Sequence, residues 1–413
     1  MELKEASARY LADAEQGVPK GYKQTEVGLI PEDWEVYTIG DFVSISVGRD
    51  LKIGNFSIYQ DDVFKYPVFS NTVENKGLYG YYNIAEYIGE SLTIVGRGVG
   101  LGTAFKRSGG YGAIGRLLVV FPHNHVVSNF LAAYINNRVK IFSESGGIPQ
   151  LTGVSIAKYR IPLPPTKAEQ EAIAEALSDA DALIELLEQL IAKKRRIKQG
   201  AMQELLTGKK RLPGFSGEWE VKRLDAIAEI LSGGTPSTNQ PEFWDGEILW
   251  CTPTDITALK GWKYISKTAR TITSQGLKAS SAELIPTNSI VMTSRATIGE
   301  CAINTTPIAT NQGFKNFIPF LNIDNQFLYY LLKTKKQEFI GLCGGSTFLE
   351  IGKNQLASFE VKLPHEKTEQ TAIANILSDM DTEIAVLEIK LTKARQLKQG
   401  MMQELLTGKI RLV

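Results

Sequence analysis

A chain of 413 residues, 43% hydrophobic and 22% charged, has enough apolar material for two or three globular domains and is neither disordered nor fibrous. No apolar run is long enough to cross a bilayer, and the N-terminal MELKEASARYLADAEQG lacks the apolar core of a signal peptide; the expectation is a cytoplasmic protein with no membrane partner. The net charge of +1 excludes nucleic-acid binding by bulk charge, so any such contact has to come from local clusters.

In chain order, GLIPEDWEV at 28–36 leads into a segment, 37–160, rich in Gly, Thr, Asn and Tyr. Its short β-type runs, SLTIVG and GRLLVVF, are separated by turn residues, and one helix is expected at SNFLAAYINN. Pro164 and Pro165 then mark the entrance to a long helix, and Gly208 marks its exit, with Lys209, Lys210 and Arg211 beside the negative helix end. GFSGEWEV at 214–221 opens a second strand-rich segment, 222–360, with NSIVMT, KNFIPF and a helix at NQFLYYLLKT. Pro364 and Gly408 bracket a second long helix, and Gly200 and Gly400 fall inside the two helical patterns, where a bend is possible. Cys251, Cys301 and Cys343 are odd in number, scattered and without a CxxC pair, and His123 and His125 have no third ligand nearby, so no disulfide framework and no metal site is expected.

The organising feature is repetition. Residues 169–212 return at 369–412 in register, with MQELLTGK in both copies; IPLPP at 161–165 answers VKLPH at 361–365, and GLIPEDWEV answers GFSGEWEV. The chain therefore reads as two copies of one unit: a first domain over 22–163, a helical spacer over 164–212, a second domain over 213–363 and a second spacer over 364–413. Steps of four and three place Ile173, Leu177, Ala180, Ile184, Leu187 and Ile191 on one stripe, and Ile373, Leu377, Met380, Ile384, Leu387, Leu391 and Ala394 on its counterpart. Two such stripes are natural partners, and a pseudo-twofold relation between the copies makes the helices antiparallel. The fold class is α+β: two strand-rich domains separated and bridged by two long antiparallel coiled-coil helices.

This plan resembles the specificity subunits of type I DNA restriction-modification enzymes over nearly the whole chain. TEVGLIPEDWEV at 25–36, SGGTPST at 232–238, SRATIG at 294–299, TNQGF at 310–314 and the exit IPLPP followed by Glu169 and Gln170 carry the resemblance, in order and duplicated. It implies two target recognition domains of the kind found in Taq-type adenine methyltransferases, each reading one half of a split site in double-stranded DNA, with the helices setting the gap. It further implies docking of two modification (methyltransferase) subunits on the helices, and a restriction subunit that translocates and cuts; S-adenosylmethionine, ATP and Mg would then sit on those partners, and this chain would hold no cofactor. The first domain departs from the second, with VGRGVG at 95–100 against SRATIG and GAIGR at 112–116 against TNQGF.

The residues themselves offer no active site. No Asn- or Asp-Pro-Pro-aromatic motif and no phosphate-cradling GxxxxGK followed by Ser or Thr occurs; GRGVGLG at 96–102 lacks GxGxxG spacing and reads as strand and turn. Glu388 and Lys390 form an ExK on a helix surface with no matching acid. Candidates for DNA contact are polar residues in turn-like contexts: Ser70, Asn71, Thr72 and Arg97 in the first domain, and Thr235, Ser237, Thr252, Thr254, Arg295, Asn311 and Gln312 in the second, each of which could instead cap a turn. Lys260, Lys263, Lys267 and Arg270 are a candidate phosphate stripe, as are Lys333, Lys335 and Lys336, which also suit a helix C-terminus. The alternatives are a single-chain methyltransferase or nuclease with unusual motifs, separable by S-adenosylmethionine binding, and a coiled-coil protein adaptor, separable by selection from random duplexes.

Overall fold

The computed structural model of the chain describes residues 18–141, 150–343 and 349–412. It forms two compact units: residues up to Glu188 with Ile389 onward, and Gln189–Glu388. The boundary runs through the two long helices. Each unit holds one strand-rich domain, the first half of the long helix that follows it and the second half of the other.

In the first unit a four-stranded antiparallel sheet has the order Ala104–Arg107, Ser91–Ile94, Leu118–Pro122, Val43–Val47. Successive side chains alternate between its faces. Leu92, Ile94, Leu118 and Val120 pack with Phe130, Leu131 and Ile135 of the helix Ser128–Arg138. Val119 faces Tyr111 and Ala113 of a second, five-stranded sheet. The central strand Ser91–Ile94 is buried along its whole length, which is why it reads as a continuous run. A two-stranded pair, Glu35–Thr38 with Arg160–Leu163, closes the domain at the start of the long helix.

The second unit repeats this plan. Its central sheet runs Ala228–Ser232, Phe314–Pro319, Ile290–Thr293, Cys301–Asn304, Tyr264–Ile265, and Trp219–Arg223 pairs with Glu360–Pro364. Ile290, Met292 and Phe317 pack on the helix Asn325–Thr334, while Val291 and Phe314 face Cys251 and Ile308 of a three-stranded sheet.

The long helices span Lys167–Leu205 and Lys367–Leu405. Gly200 and Gly400 lie inside them without interrupting them. Of the expected stripe, Ile173 and Leu177 are buried in the core of the first domain, and Ile373 and Leu377 in that of the second; Ile191, Ile384 and Ala394 are buried further along, while Ile184, Leu187, Leu387 and Leu391 are half-buried. Each core also receives the end of the other helix, Leu405 and Leu406 in the first unit, Leu205 and Leu206 in the second. Burying one leucine contributes about 2 kcal/mol, so these ends anchor the helices as well as cover the domains.

The polar contacts are duplicated as faithfully. In the second unit Arg195 pairs with Glu388 at 2.6 Å, Lys198 with Asp381, and Arg211 with Glu369 at 2.7 Å; in the first, Arg395 pairs with Glu188 at 2.6 Å, Lys398 with Asp181 at 2.6 Å, and Arg411 with Glu169. Within each unit these contacts run the two helices antiparallel, and each of these three pairs has the numbers of its counterpart with the helices exchanged; Lys194 also pairs with Glu383 at 2.6 Å in the second unit, where the first has Ala394 and Leu183. Gln170 accepts from the Val127 backbone N–H at 2.9 Å and donates to the carbonyls of Pro164 and His125; Gln370 does the same with Asp324, Pro364 and Asn322. The repeated Glu-Gln pair is thus a latch between helix and domain. Gly208 and Gly408 take φ of 70° and 67°, which glycine adopts freely; a Cβ would lie 3.1 Å from the Trp219 ring at Gly208, and at Gly408 it would run into the Pro31 ring and lie 3.2 Å from the Trp34 ring.

Among the described residues no helix is long and apolar enough to cross a membrane, and no three His, Cys, Asp or Glu side chains gather as metal ligands. Cys251 and Cys301 are free and buried, and burial pushes the Cys301 thiol up to about 12.

Candidate nucleic-acid interface

At one end of each central sheet three loops interlock. In the first domain Gly48 donates to the Leu117 carbonyl at 2.7 Å, Arg49 to Ala113 at 3.1 Å, Gly115 to Arg49 at 3.0 Å and Arg116 to Gly48 at 3.1 Å. A Cβ on Gly48 would lie 2.9 Å from the Ala113 carbonyl, so the close approach requires glycine. The third loop leaves the central strand at Val95 and carries Arg97, whose guanidinium donates to Gln150 Oε1 at 3.2 Å; Leu151 N–H donates to the Gly96 carbonyl at 2.9 Å. Asn71 joins the loops, accepting from Gly96 N–H at 2.8 Å and donating to the Gly115 carbonyl.

The second domain builds the same end from different side chains. Gly233 donates to Phe314 at 3.4 Å, Gly234 to Thr310 at 2.9 Å, Ser294 to Gly313 at 2.7 Å and Ile351 to Ser294 at 3.1 Å. Arg295 Nε lies 2.8 Å from Glu350 Oε2, and Thr235 donates to Gln312 Oε1. Asn311 accepts from Gly313 N–H at 2.9 Å, forming the turn Asn311–Gln312–Gly313–Phe314. The other Glu350 oxygen is 4.0 Å from Lys315, a buried lysine whose pKa is lowered chiefly by burial.

These hydrogen bonds align the copies. Arg97 answers Arg295, Gln150 answers Glu350, and the residue after each arginine is left-handed, Gly98 at φ 76° and Ala296 at φ 57°. The Ile94–Leu118 pair in one sheet is the Met292–Lys315 pair in the other. TNQGF therefore answers AIGRL at 113–117, one residue beyond the sequence comparison with GAIGR.

Of the candidate contact residues, Thr235, Arg295, Asn311 and Gln312 come together at this end of the second domain, and Asn71 and Arg97 at that of the first. Asn71 has both ends of its amide engaged by backbone. Thr72 Oγ1 accepts from Glu74 N–H, Ser70 N–H donates to the Gly77 carbonyl, and both cap the neighbouring turn. Thr252 lies beside Asn311, but its hydroxyl is taken by Asp255 at 2.7 Å, capping the helix Pro253–Ala258, with Thr254 exposed on its first turn. Ser237 is exposed, and its carbonyl accepts from the Trp244 indole at 3.0 Å.

The lysine stripes need correction. Lys263 is buried and donates to Gln326 at 2.6 Å and Ser378 at 2.7 Å, and Arg270 stacks on Trp244 with its guanidinium carbon 3.6 Å from the ring centroid. Lys260 and Lys267 are exposed. Lys335 pairs with Glu338 and Lys336 with Glu300, so two of the second stripe's three charges are paired at a helix end, while Lys333 donates to the Tyr329 hydroxyl at 3.4 Å. Arg49, Arg116, Gln150 and Glu350 escaped the sequence, since only the paired backbone brings them to the site; the alternation of VGR at 47–49 with SGG at 232–234 was the one available signal.

A family model for the type I restriction modification DNA specificity domain matches residues 31–194 and 216–396. The chain is similar to the type I restriction enzyme MjaIX specificity subunit of Methanocaldococcus jannaschii, 42% identical over 166 residues, covering 40% of this chain and 38% of that one. It is 25% identical to the MjaVIII specificity subunit of the same organism over 95% of this chain and 96% of that one, and 29% identical to the EcoR124I/EcoR124II specificity subunit of Escherichia coli over 67% and 69%. The fold is similar to that of a type I restriction-modification system S subunit from M. genitalium, with a TM-score of 0.62 over 90% of this chain and 96% of that one, at 15% identity.

Proposed function

This chain belongs to the type I restriction modification DNA specificity family, with two target recognition domains, and from that membership we propose that it reads a split sequence in double-stranded DNA, one half with each domain. The observation that carries the proposal is the duplicated loop cluster: the same backbone frame stands at the end of both central sheets, with an arginine held in the same place and different polar side chains around it. A fixed frame with variable loops is what reading two unlike half-sites requires.

The chain acts as a non-catalytic guide. The two long helices offer two similar surfaces for two modification subunits, which bring S-adenosylmethionine to the DNA, and a restriction subunit supplies ATP- and Mg-dependent translocation and cutting. The helices also set the distance between the half-sites.

The test is selection of bound sequences from random duplexes by the full chain, with a split motif as the expected result. Exchange of residues 40–160 for the equivalent domain of another specificity subunit should replace one half of that motif and leave the other. Enrichment of an unsplit motif, or a change in both halves, would contradict the proposal.

A further inference from the structure

The two loop clusters share one arginine and differ at two others. Arg97 and Arg295 occupy equivalent places. Arg49, however, stands where the second domain has Gly234, and Arg116 where it has Gly313, as the matching bonds Arg49 to Ala113 and Gly234 to Thr310, and Gly48 to Leu117 and Gly233 to Phe314, establish. Both Arg49 and Arg116 are exposed, Arg97 is half-buried, and among the described residues none of the three takes part in an ion pair. Three guanidiniums thus rise from one interlocked frame in a chain whose net charge is only +1.

Arg116 is held at backbone cost. Gly115 and Arg116 take φ of 66° and 63°, and Leu117 N–H donates to the Ile114 carbonyl at 3.2 Å, closing a turn with two successive left-handed residues. Glycine suits both central positions of such a turn, and a long side chain at the second is disfavoured. An arginine kept where glycine would fold more easily points to a task outside the fold.

Resting on the proposed reading of DNA by this domain, we infer that Arg49 and Arg116 determine the sequence of the first half-site by donating to guanine, and that Arg97 and Arg295 do the work common to both halves, holding the backbone phosphate. The logic is chemical. What two domains share serves what two half-sites share, and a planar guanidinium presents two parallel donors to guanine O6 and N7, which no other base offers together. In the second domain the corresponding tip carries Thr235 and Gln312, groups that donate and accept, and its half-site is read without that guanine contact.

The experiment is selection from random duplexes at low salt with the full chain, comparing the natural protein with Arg116→Gly, Arg49→Gln and Arg97→Ala. Arg116→Gly suits the left-handed backbone, so it removes the side chain without endangering the fold. The expected result is loss of a guanine preference at one position of the first half-site for each of Arg116→Gly and Arg49→Gln, about ten-fold in discrimination, with the second half-site and the spacing unchanged. Arg97→Ala should weaken every duplex alike and lower the salt slope by about one. If the natural chain selects a split motif and the first two variants leave its letters unchanged, or weaken all duplexes evenly, the inference is overturned while the reading of DNA stands. A natural chain that selects no motif overturns both.

Discussion

Arg211 and Glu369, 158 residues apart in the chain, form a two-pronged ion pair, Nε to Oε1 at 2.7 Å and Nη2 to Oε2 at 2.8 Å, at the point where the exit of one long helix meets the entrance of the other. The Trp219 indole donates to the same carboxylate at 3.3 Å. Glu369 is buried, so Arg211→Ala strands a carboxylate in a dry site and should destabilise the second unit by about 3 kcal/mol. Urea unfolding measures the loss. Hydrogen exchange should quicken at the Trp219–Arg223 and Glu360–Pro364 pair and stay unchanged at Glu35–Thr38; equal effects in both units would mean that the pairs do not act locally.

The equivalent arginine of the first unit, Arg411, carries a second carboxylate. Its guanidinium donates to Asp33 at 2.9 and 3.0 Å, and holds that carboxyl below its usual range despite the opposing effect of partial burial. A carboxylate with a lowered folded pKa binds protons more readily when unfolded. Its stabilising contribution is therefore present above the unfolded value of about 4 and lost as pH falls through the folded one. The stability difference between the natural chain and Asp33→Asn should be level near neutrality and shrink below about pH 4. Asp33 is half-exposed, so high salt should reduce the difference; a gap that persists unchanged into acid would remove the ion pair as its cause.

Lys315 occupies the place that Leu118 fills in the first domain, with Glu350 in the place of Gln150. Glu350→Gln alone removes the carboxylate nearest a buried ammonium and should cost about 1–2 kcal/mol. Adding Lys315→Leu recreates the combination of the first domain and should recover the loss, because a leucine needs no counter-charge. Thermal unfolding of the two variants decides; a double variant no more stable than the single one would show that the two positions are not coupled.

The helices can be tested as a measure of the gap between half-sites. A helix rises about 1.5 Å per residue, so a heptad adds roughly 10 Å, comparable to three base pairs at about 3.4 Å each. Seven residues return the apolar stripe to nearly the same face. A heptad after Ile191 with another after Leu391 should lengthen the preferred spacer by about one to three base pairs and leave both half-sites unchanged, the helical rotation of DNA limiting the gain. Two residues at each position should instead misplace Leu187 and Ile191 and damage folding. The modified motif in cells carrying each variant is the measurement, and an active heptad variant with the old spacer would leave the helices as docking surfaces only.

The duplication, the long helices with their stripes, and the helix in each domain were legible from the chain because periodicity and repetition are one-dimensional. Ile173 and Leu177 belong to the stripe, yet they are buried in a domain core, a distinction that spacing cannot draw. In sequence the helices stand between domains, whereas in space each compact unit also takes in the far end of the other copy's helix. Because Arg411 and Arg211 repeat in sequence, the chain alone could not say which copy's glutamate each one meets.

The sequence by itself determined that this protein is two variations on one unit, without a recognisable catalytic motif and with polar, glycine-rich segments to carry contacts. Only the tertiary structure decided what each of those polar residues touches within the fold. Asn71 and Thr252 are hydrogen-bonded within the fold, Lys263 is buried among Gln326 and Ser378, the exposed Arg270 lies over the Trp244 ring, and Lys335 and Lys336 pair with Glu338 and Glu300. It also raised Arg49 and Arg116 beside Arg97, three residues spread along the chain that meet because strands far apart in sequence pair side by side. The physical reason is that a side chain's task depends on what the folded backbone places within hydrogen-bonding distance, and that partner is non-local.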